Sequence, residues 1–285
     1  MYRLCAFGPW SSRATMSLNK SDRYKFVFLC GLHRSGTSPL FRILREHPEI
    51  SGFRNTGVPE DEGQHLQTVF QPAKAHGGPG RFGFIPEAHL TEDSALNTPE
   101  SGRKLFAEWS KYWDLSKPCL LEKSPPNLIR TRFLQAVFPG SHFIVISRHP
   151  IAVSLATWKW SRSSLESLME HWLHCHRLFE EDRPHLRHAH VIKYEDLIGA
   201  TESELERIYS FLGLAPRPSA PLNSAGNERY FNVWQKLAVE KRGRDLCHRI
   251  VAKYEQKVQT YGYSLADCNS TVPAGSSADQ PRFSP

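Results

Sequence analysis

Residues 25–46 constrain the fold more than any other stretch of the chain. Lys25–Gly31 (KFVFLCG) is a short apolar run ending in glycine. Such a run reads as a strand buried on both faces, the kind found inside parallel sheets. Residues 39–46 (PLFRILRE) then place Leu40, Phe41, Ile43 and Leu44 at helical spacing. Between the two lies Gly31-Leu32-His33-Arg34-Ser35-Gly36-Thr37-Ser38, a polar loop with G-x-x-x-x-G spacing. Successive backbone N–H groups of such a loop cradle an anion, and the helix N-terminus adds partial positive charge. Gly36 permits the backbone conformation a nest needs. Ser35, Thr37 and Ser38 add hydroxyl donors. The lysine of an ATP-binding loop is missing, and Thr37 stands in its place. That argues against a P-loop kinase or NTPase, whose lysine reaches the β- and γ-phosphates. The cation sits inside the loop instead, as Arg34.

The rest of the chain repeats the strand–helix alternation. Residues 119–122, 143–147 (FIVIS) and 189–193 (AHVIK) are predicted strands, and 143–147 is mostly β-branched or aromatic. Residues 105–113, 127–138, 151–161, 165–181, 201–212 and 234–261 are predicted helical. Residues 51–102 hold many Gly, Pro, His and acidic residues with little periodicity. They read as a long irregular excursion with one short helix near 63–70, and long loops of this kind are usually functional. Residues 227–234 (NERYFNVW) read as an interruption between two helical regions. The fold class is therefore α/β, a central parallel sheet with helices on both faces. Ligands of such sheets sit at the carboxyl ends of the strands.

A chain of 285 residues with 40% hydrophobic content suits one such domain, here 23–265. Its net charge of +7 favours anionic ligands. The six cysteines (Cys5, Cys30, Cys119, Cys175, Cys247, Cys268) form no CxxC pair, which argues against a zinc ribbon or thioredoxin-type site. Cys30 and Cys119 read as buried thiols within apolar runs. His171, His174, Cys175 and His176 lack the carboxylates or H-E-x-x-H pattern of a metal site and read as partly exposed helix histidines. No stretch of about 18 apolar residues occurs, so no membrane span is expected. Residues 1–22 carry Arg3, Arg13, Lys20 and several serines ahead of the first acid, Asp22. They read as a flexible extension or an organelle transit peptide, with translation from Met16 a further reading. Residues 266–285 read as a disordered tail. A cytoplasmic location is expected, or an organelle if the transit reading holds.

Three further elements stand at strand ends. Leu120-Leu121-Glu122-Lys123-Ser124-Pro125-Pro126-Asn127 is a strand end followed by a proline-ordered turn. Arg148-His149-Pro150 follows residues 143–147 and precedes a helix, a good place for a phosphate. Lys193-Tyr194-Glu195-Asp196-Leu197 follows residues 189–192. Together with the loop His33-Arg34-Ser35-Gly36-Thr37-Ser38, these elements and their order resemble the sulfotransferases that use 3′-phosphoadenosine-5′-phosphosulfate (PAPS), closest in motif style to the tyrosylprotein type. The resemblance spans roughly residues 25–261.

It implies a P-loop NTPase-like sulfotransferase fold and transfer of a sulfuryl group from PAPS to a hydroxyl or amine, without a metal. Arg34, Ser35, Gly36, Thr37 and Ser38 would hold the 5′-phosphosulfate. Arg148 would hold the 3′-phosphate, helped by a serine of the following helix. In the best-known members that serine occupies the position that is Ala156 here, so the role passes to Ser154. Tyr194 would lie near the adenine, and Arg229 would reach a phosphate from a late loop; Lys241-Arg242-Gly243 resembles a further family element only weakly. Lys123 would offset charge on the leaving oxygen. The base would be Glu60 or Glu62, in the excursion where the tyrosylprotein enzymes place a glutamate, or His65, which titrates near neutrality. A small-molecule, carbohydrate or peptide acceptor is implied, and no nucleic acid. A relative that binds nucleotide without catalysis is the remaining alternative.

Overall fold

The apolar run Lys25–Gly31 is the middle strand, β1, of a five-stranded sheet in the computed structural model, which describes residues 23–222 and 226–268. The other strands are β2 (Ile50–Gly52), β3 (Cys119–Lys123), β4 (His142–Ser147) and β5 (Ala189–Lys193), in the order β2-β3-β1-β4-β5. All pairings are parallel. The register sets Leu29 opposite Lys123, Gly31 opposite Ile146, and Ser147 opposite Lys193. The strand ends that carry the loop, the lysine, the arginine and the tyrosine therefore lie along one edge.

The strand order fixes where a ligand can sit. After β1 the chain turns toward β3 and β2. After β4 it continues the other way, to β5. Adjacent strands whose connections diverge leave a crevice between their carboxyl ends. Right-handed crossovers in opposite directions also put helices on both faces of the sheet.

The helices are α1 (Thr37–Leu44), α2 (Pro99–Trp109), α3 (Thr131–Val137), α4 (Pro150–Trp158), α5 (Leu165–Asp182), α6 (Tyr194–Gly199), α7 (Thr201–Phe211), α8 (Glu228–Val239) and α9 (Lys241–Gln259). An aromatic layer locks the sheet beside β1. Phe26 lies 4.4 Å from Phe138 between ring centres, Phe28 stacks on Phe143 at 5.6 Å, and Trp109 stacks on Phe138 at 5.9 Å. Aromatic pairs at such distances add to plain area burial. Cys30 and Cys119 are buried free thiols, as expected.

Several boundaries differ from the sequence reading, each for a local reason. The helix expected near 63–70 is only a 3₁₀ turn, Gly63–His65. The Gln67 side chain takes the N–H groups of Val69 and Phe70, which a helix would have used. The segment expected as one helix over 127–138 splits, because Arg130 leaves helical geometry (φ −135) between the 3₁₀ turn Pro125–Ile129 and α3. Residues 227–234 are no interruption: they open α8, whose Tyr230 and Trp234 are buried one turn apart. The break falls at Glu240, in extended backbone. His171 and His176 are buried, not partly exposed. The short strand β2 and the helix α6 had no sequence signal. Among the described residues no helix is long and apolar enough to cross a membrane. The extension or transit peptide read over 1–22, and the tail from 269 on, lie outside the described residues.

Candidate functional site

The loop between β1 and α1 is shaped by its glycines and by Ser35. Ser35 is buried, and its hydroxyl donates to the Leu32 carbonyl at 2.6 Å, closing the turn. Gly36 sits at φ +104, and a Cβ there would come within 2.5 Å of Tyr194 Cδ2. Only glycine lets the loop lie flat on the Tyr194 ring. The helical ladder begins with Leu40 N–H on the Gly36 carbonyl at 3.3 Å, so the N–H groups of Thr37 and Ser38 precede it and point out of the helix end. Arg34 adopts left-handed backbone, φ 72. That conformation costs a non-glycine residue about 1–2 kcal/mol. It carries the guanidinium over the Trp160 ring, 4.3 Å from its centre.

Arg148, at the end of β4, braces this loop to the late part of the chain. Its Nη1 donates to the Arg34 carbonyl at 2.9 Å, Nε to Asn227 Oδ1 at 2.7 Å, and Nη2 to the Gly226 carbonyl at 2.5 Å. The guanidinium lies 4.1 Å over the Tyr194 ring. Burial pulls Arg148 below the ordinary arginine value, but it stays a cation. Asn227 Nδ2 in turn donates to Glu195 Oε1 at 2.7 Å, and the His149 N–H reaches the same oxygen at 3.0 Å. Arg229 stacks on Tyr230, 4.6 Å from the ring centre, and donates to its hydroxyl.

The acidic side of the site is built on the irregular excursion. Glu62 is buried; its Oε1 accepts from Lys123 Nζ at 3.1 Å and its Oε2 from Gln64 Nε2 at 2.6 Å. Lys123 is fully buried, and its Nζ also lies 3.4 Å from Ser38 Oγ. The Glu62–Lys123 pair thus sits beside the first turn of α1. His65 Nε2 is 3.9 Å from Glu62 Oε2, and burial, partly offset by Glu62, lowers its pKa below the ordinary histidine value. Its imidazole is therefore neutral at neutral pH. Glu60 faces outward on left-handed backbone and pairs with the exposed Arg42 at 3.2 Å.

These groups surround one cleft of about 600 Å³. Arg34, Gly36, Thr37, Ser38, Arg148, Tyr194, Arg229, Glu60, Glu62 and His65 all line it. Ser35 lies beneath the loop, and Lys123 lies behind Glu62. Ser154 is set apart from the cleft. It is 1% exposed, and it faces a separate cavity of about 10 Å³ shared with His33. Neither Ser154 Oγ nor His33 Nδ1 has a hydrogen-bond partner. The cleft also brings in Arg42, Lys74, Trp160 and Tyr230. Lys74 had no sequence signal, since a single charged residue on an irregular segment carries no period, and nothing set Arg42 apart among the polar positions of α1. Five cations against two carboxylates make the cleft a receptor for a polyanion.

Several solved structures are similar to this one. The sulfotransferase domain of the Synechococcus PCC 7002 olefin synthase aligns at 18% identity and TM-score 0.49, over 85% of this chain and 97% of that one. A sulfotransferase domain from the curacin biosynthetic pathway aligns at 16% identity and TM-score 0.45, over 81% and 97%. A sulfotransferase from Alicyclobacillus acidocaldarius aligns at 16% identity and TM-score 0.44, over 83% and 96%. A comparison with curated protein sequences yields no match. The sulfotransferase family profile matches residues 27–218. That span takes in the anion loop, the lysine turn, the arginine of β4 and the tyrosine of α6, and with it the chain belongs to the sulfotransferase family, enzymes that transfer a sulfuryl group.

Proposed function

We propose that the enzyme takes its sulfuryl group from PAPS and passes it to a hydroxyl of an acceptor, a small molecule, carbohydrate or peptide, bound in the same cleft. The observation that carries this reading is the convergence of Arg34, Arg148 and Arg229 on the first turn of α1, at the crevice between β1 and β4. A donor with a 5′-phosphosulfate and a 3′-phosphate needs positive charge at two separated places. Arg34 and the N–H groups of Thr37 and Ser38 supply one, and Arg148 with Arg229 supplies the other. Tyr194, braced between Gly36 and Arg148, and Tyr230 line the cleft beside these cations, where the adenine would lie.

In this reading the acceptor oxygen attacks sulfur in line, and the bond from sulfur to the 5′-phosphate oxygen breaks. The leaving 3′-phosphoadenosine-5′-phosphate (PAP) keeps the electron pair. Glu62 takes the acceptor proton. It is the carboxylate beside the anion loop, whereas Glu60 is turned outward to Arg42. Lys123 serves first as the counter-charge that holds Glu62 in place. Positioning and fixed charge supply most of the rate, as they do in phosphoryl transfer.

Calorimetric titration with PAP, and with ATP plus magnesium as control, tests the donor; transfer from labelled PAPS to an acceptor panel tests the chemistry. PAP binds, ATP plus magnesium does not compete, and R34A and R148A weaken PAP binding. E62Q keeps PAP binding and loses about 10²–10⁴-fold in kcat. ATP binding in preference to PAP would overturn the donor. Wild-type turnover in E62Q together with a dead H65A would move the base to His65.

A further inference from the structure

Glu122 is a fully buried carboxyl next to the base that no step so far uses. It ends the apolar strand β3, where a leucine or glutamine would pack without placing a charge in the core. Burying an ionisable group is costly, so its retention needs a reason. Its contacts supply one. Ser124 Oγ donates to Glu122 Oε1 at 2.5 Å and accepts the Gln64 N–H at 2.9 Å. A hydroxyl has one proton, so accepting from Gln64 leaves that proton for the carboxyl, and the direction of the chain is set. The Gln64 side chain then continues it: Nε2 donates to Glu62 Oε2 at 2.6 Å and Oε1 accepts the Ala73 N–H at 2.8 Å. Asn127 Nδ2 donates to the other Glu122 oxygen. Gly63, between Glu62 and Gln64, lies so close to the Glu122 carboxyl that a Cβ there would collide with it.

We propose that Glu122 is the positioning residue of the base: through Ser124 and Gln64 it fixes the turn that carries Glu62. The proposal rests on the reading of Glu62 as the base. The charged and titratable groups around Glu122 are Lys123 on its own strand, Glu62 on the turn, Arg130 beyond the 3₁₀ turn and Cys30 on β1. Two carboxylates thus share a buried setting with Lys123 and Arg130. An ionised Glu122 places a second negative charge beside the Glu62–Lys123 pair, and a protonated one does not. Burial raises Glu122 to about 7, so this influence changes within the working range of pH.

The test is the pH profile of kcat and kcat/KM for wild type, E122Q, S124A and E62Q, with PAP affinity measured on each. PAP affinity stays within about twofold in E122Q and S124A, while kcat falls about 10- to 100-fold, the loss expected from a misplaced base. The wild-type kcat/KM profile carries a step near pH 7, where Glu122 changes charge, and E122Q lacks that step. A merely structural role would lower kcat and PAP affinity together and leave any such step in place in E122Q, and this result would overturn the proposal. So would an E122Q enzyme with wild-type kcat beside an inactive E62Q. Wild-type kcat in E62Q would instead overturn the base reading, and the proposal with it. If E122Q does not fold, S124A breaks the chain of hydrogen bonds while keeping the carboxyl, and its kcat and PAP affinity are read by the same criteria.

Discussion

Gly36 joins two constraints in one residue. Its φ of +104 is open to glycine and strained for other residues, and its Cα rests on the Tyr194 ring. Alanine here would push the ring, and with it the Arg148 guanidinium stacked on the other side. The backbone strain costs about 1–2 kcal/mol before any collision is counted. For a domain of this size each kcal/mol lowers Tm by about 2–4 °C. G36A is therefore expected to lower Tm by several degrees and to weaken PAP binding at least tenfold (about 1.4 kcal/mol). Differential scanning fluorimetry with and without PAP reads both effects, and a variant that binds PAP like wild type would show that the loop does not depend on this contact.

At the scale of elements, the start of α8 is tied to the site by one polar junction, while its body packs on α4 and α9. Gly226 and Asn227 meet Arg148 and Glu195 in one junction, and Arg229 and Tyr230 follow directly into the cleft. N227A removes the acceptor for Arg148 Nε and the donor to Glu195, leaving buried polar groups unpaired at about 1–3 kcal/mol. Hydrogen exchange over residues 226–239 should then rise while β1 and β4 keep their protection. Equal loss of protection in the sheet would show that the junction supports the whole domain. The same contrast explains what was legible in the sequence. β1, β4 and their loops were legible because a strand buried on both faces is written as an uninterrupted apolar run, and its end is marked by Gly31 or Arg148. Lys123 was legible as a residue but not in its burial, since the ion pair with Glu62 is made across 61 positions of chain. The excursion over 51–102 was legible only as irregular. Its shape comes from side chains of Gln64 and Gln67 bonding to backbone, and such bonds leave no periodicity. Glu122 passed unremarked for a related reason: nothing in an apolar strand says which single acid at its end faces inward.

At the scale of the whole molecule, three histidines, His149, His171 and His176, are buried and uncharged at neutral pH, and they shape its response to acid. His149 Nδ1 accepts the Ile151 N–H at 3.2 Å while Nε2 donates to the Ser264 carbonyl at 3.0 Å. His171 Nε2 accepts the Gly83 N–H at 3.1 Å, and His176 Nδ1 donates to the Trp172 carbonyl at 2.8 Å. Every one of these bonds suits a neutral ring. Burial holds the three at about 4, about 3 and about 4. In the unfolded chain they titrate near 6.5. Their contribution to stability is therefore complete above about 6.5 and is lost as pH falls toward the folded values. Glu122 acts in the opposite sense. Raised to about 7, it keeps its proton in the fold and releases it on unfolding above about 4.5, so its contribution fades as pH rises through 7. Between about pH 4.5 and 6.5 these four groups together make unfolding take up roughly two protons, three on the histidines less one from Glu122. That is a slope of roughly 3 kcal/mol per pH unit. A domain holding about 5–15 kcal/mol cannot absorb it over more than a few units. Urea denaturation from pH 7 to 4.5 should show this loss, with unfolding in buffer alone before about pH 4. E122Q, which has no proton to release, should steepen the slope toward three protons. A slope below one proton in wild type would mean that the three histidines are already charged in the fold.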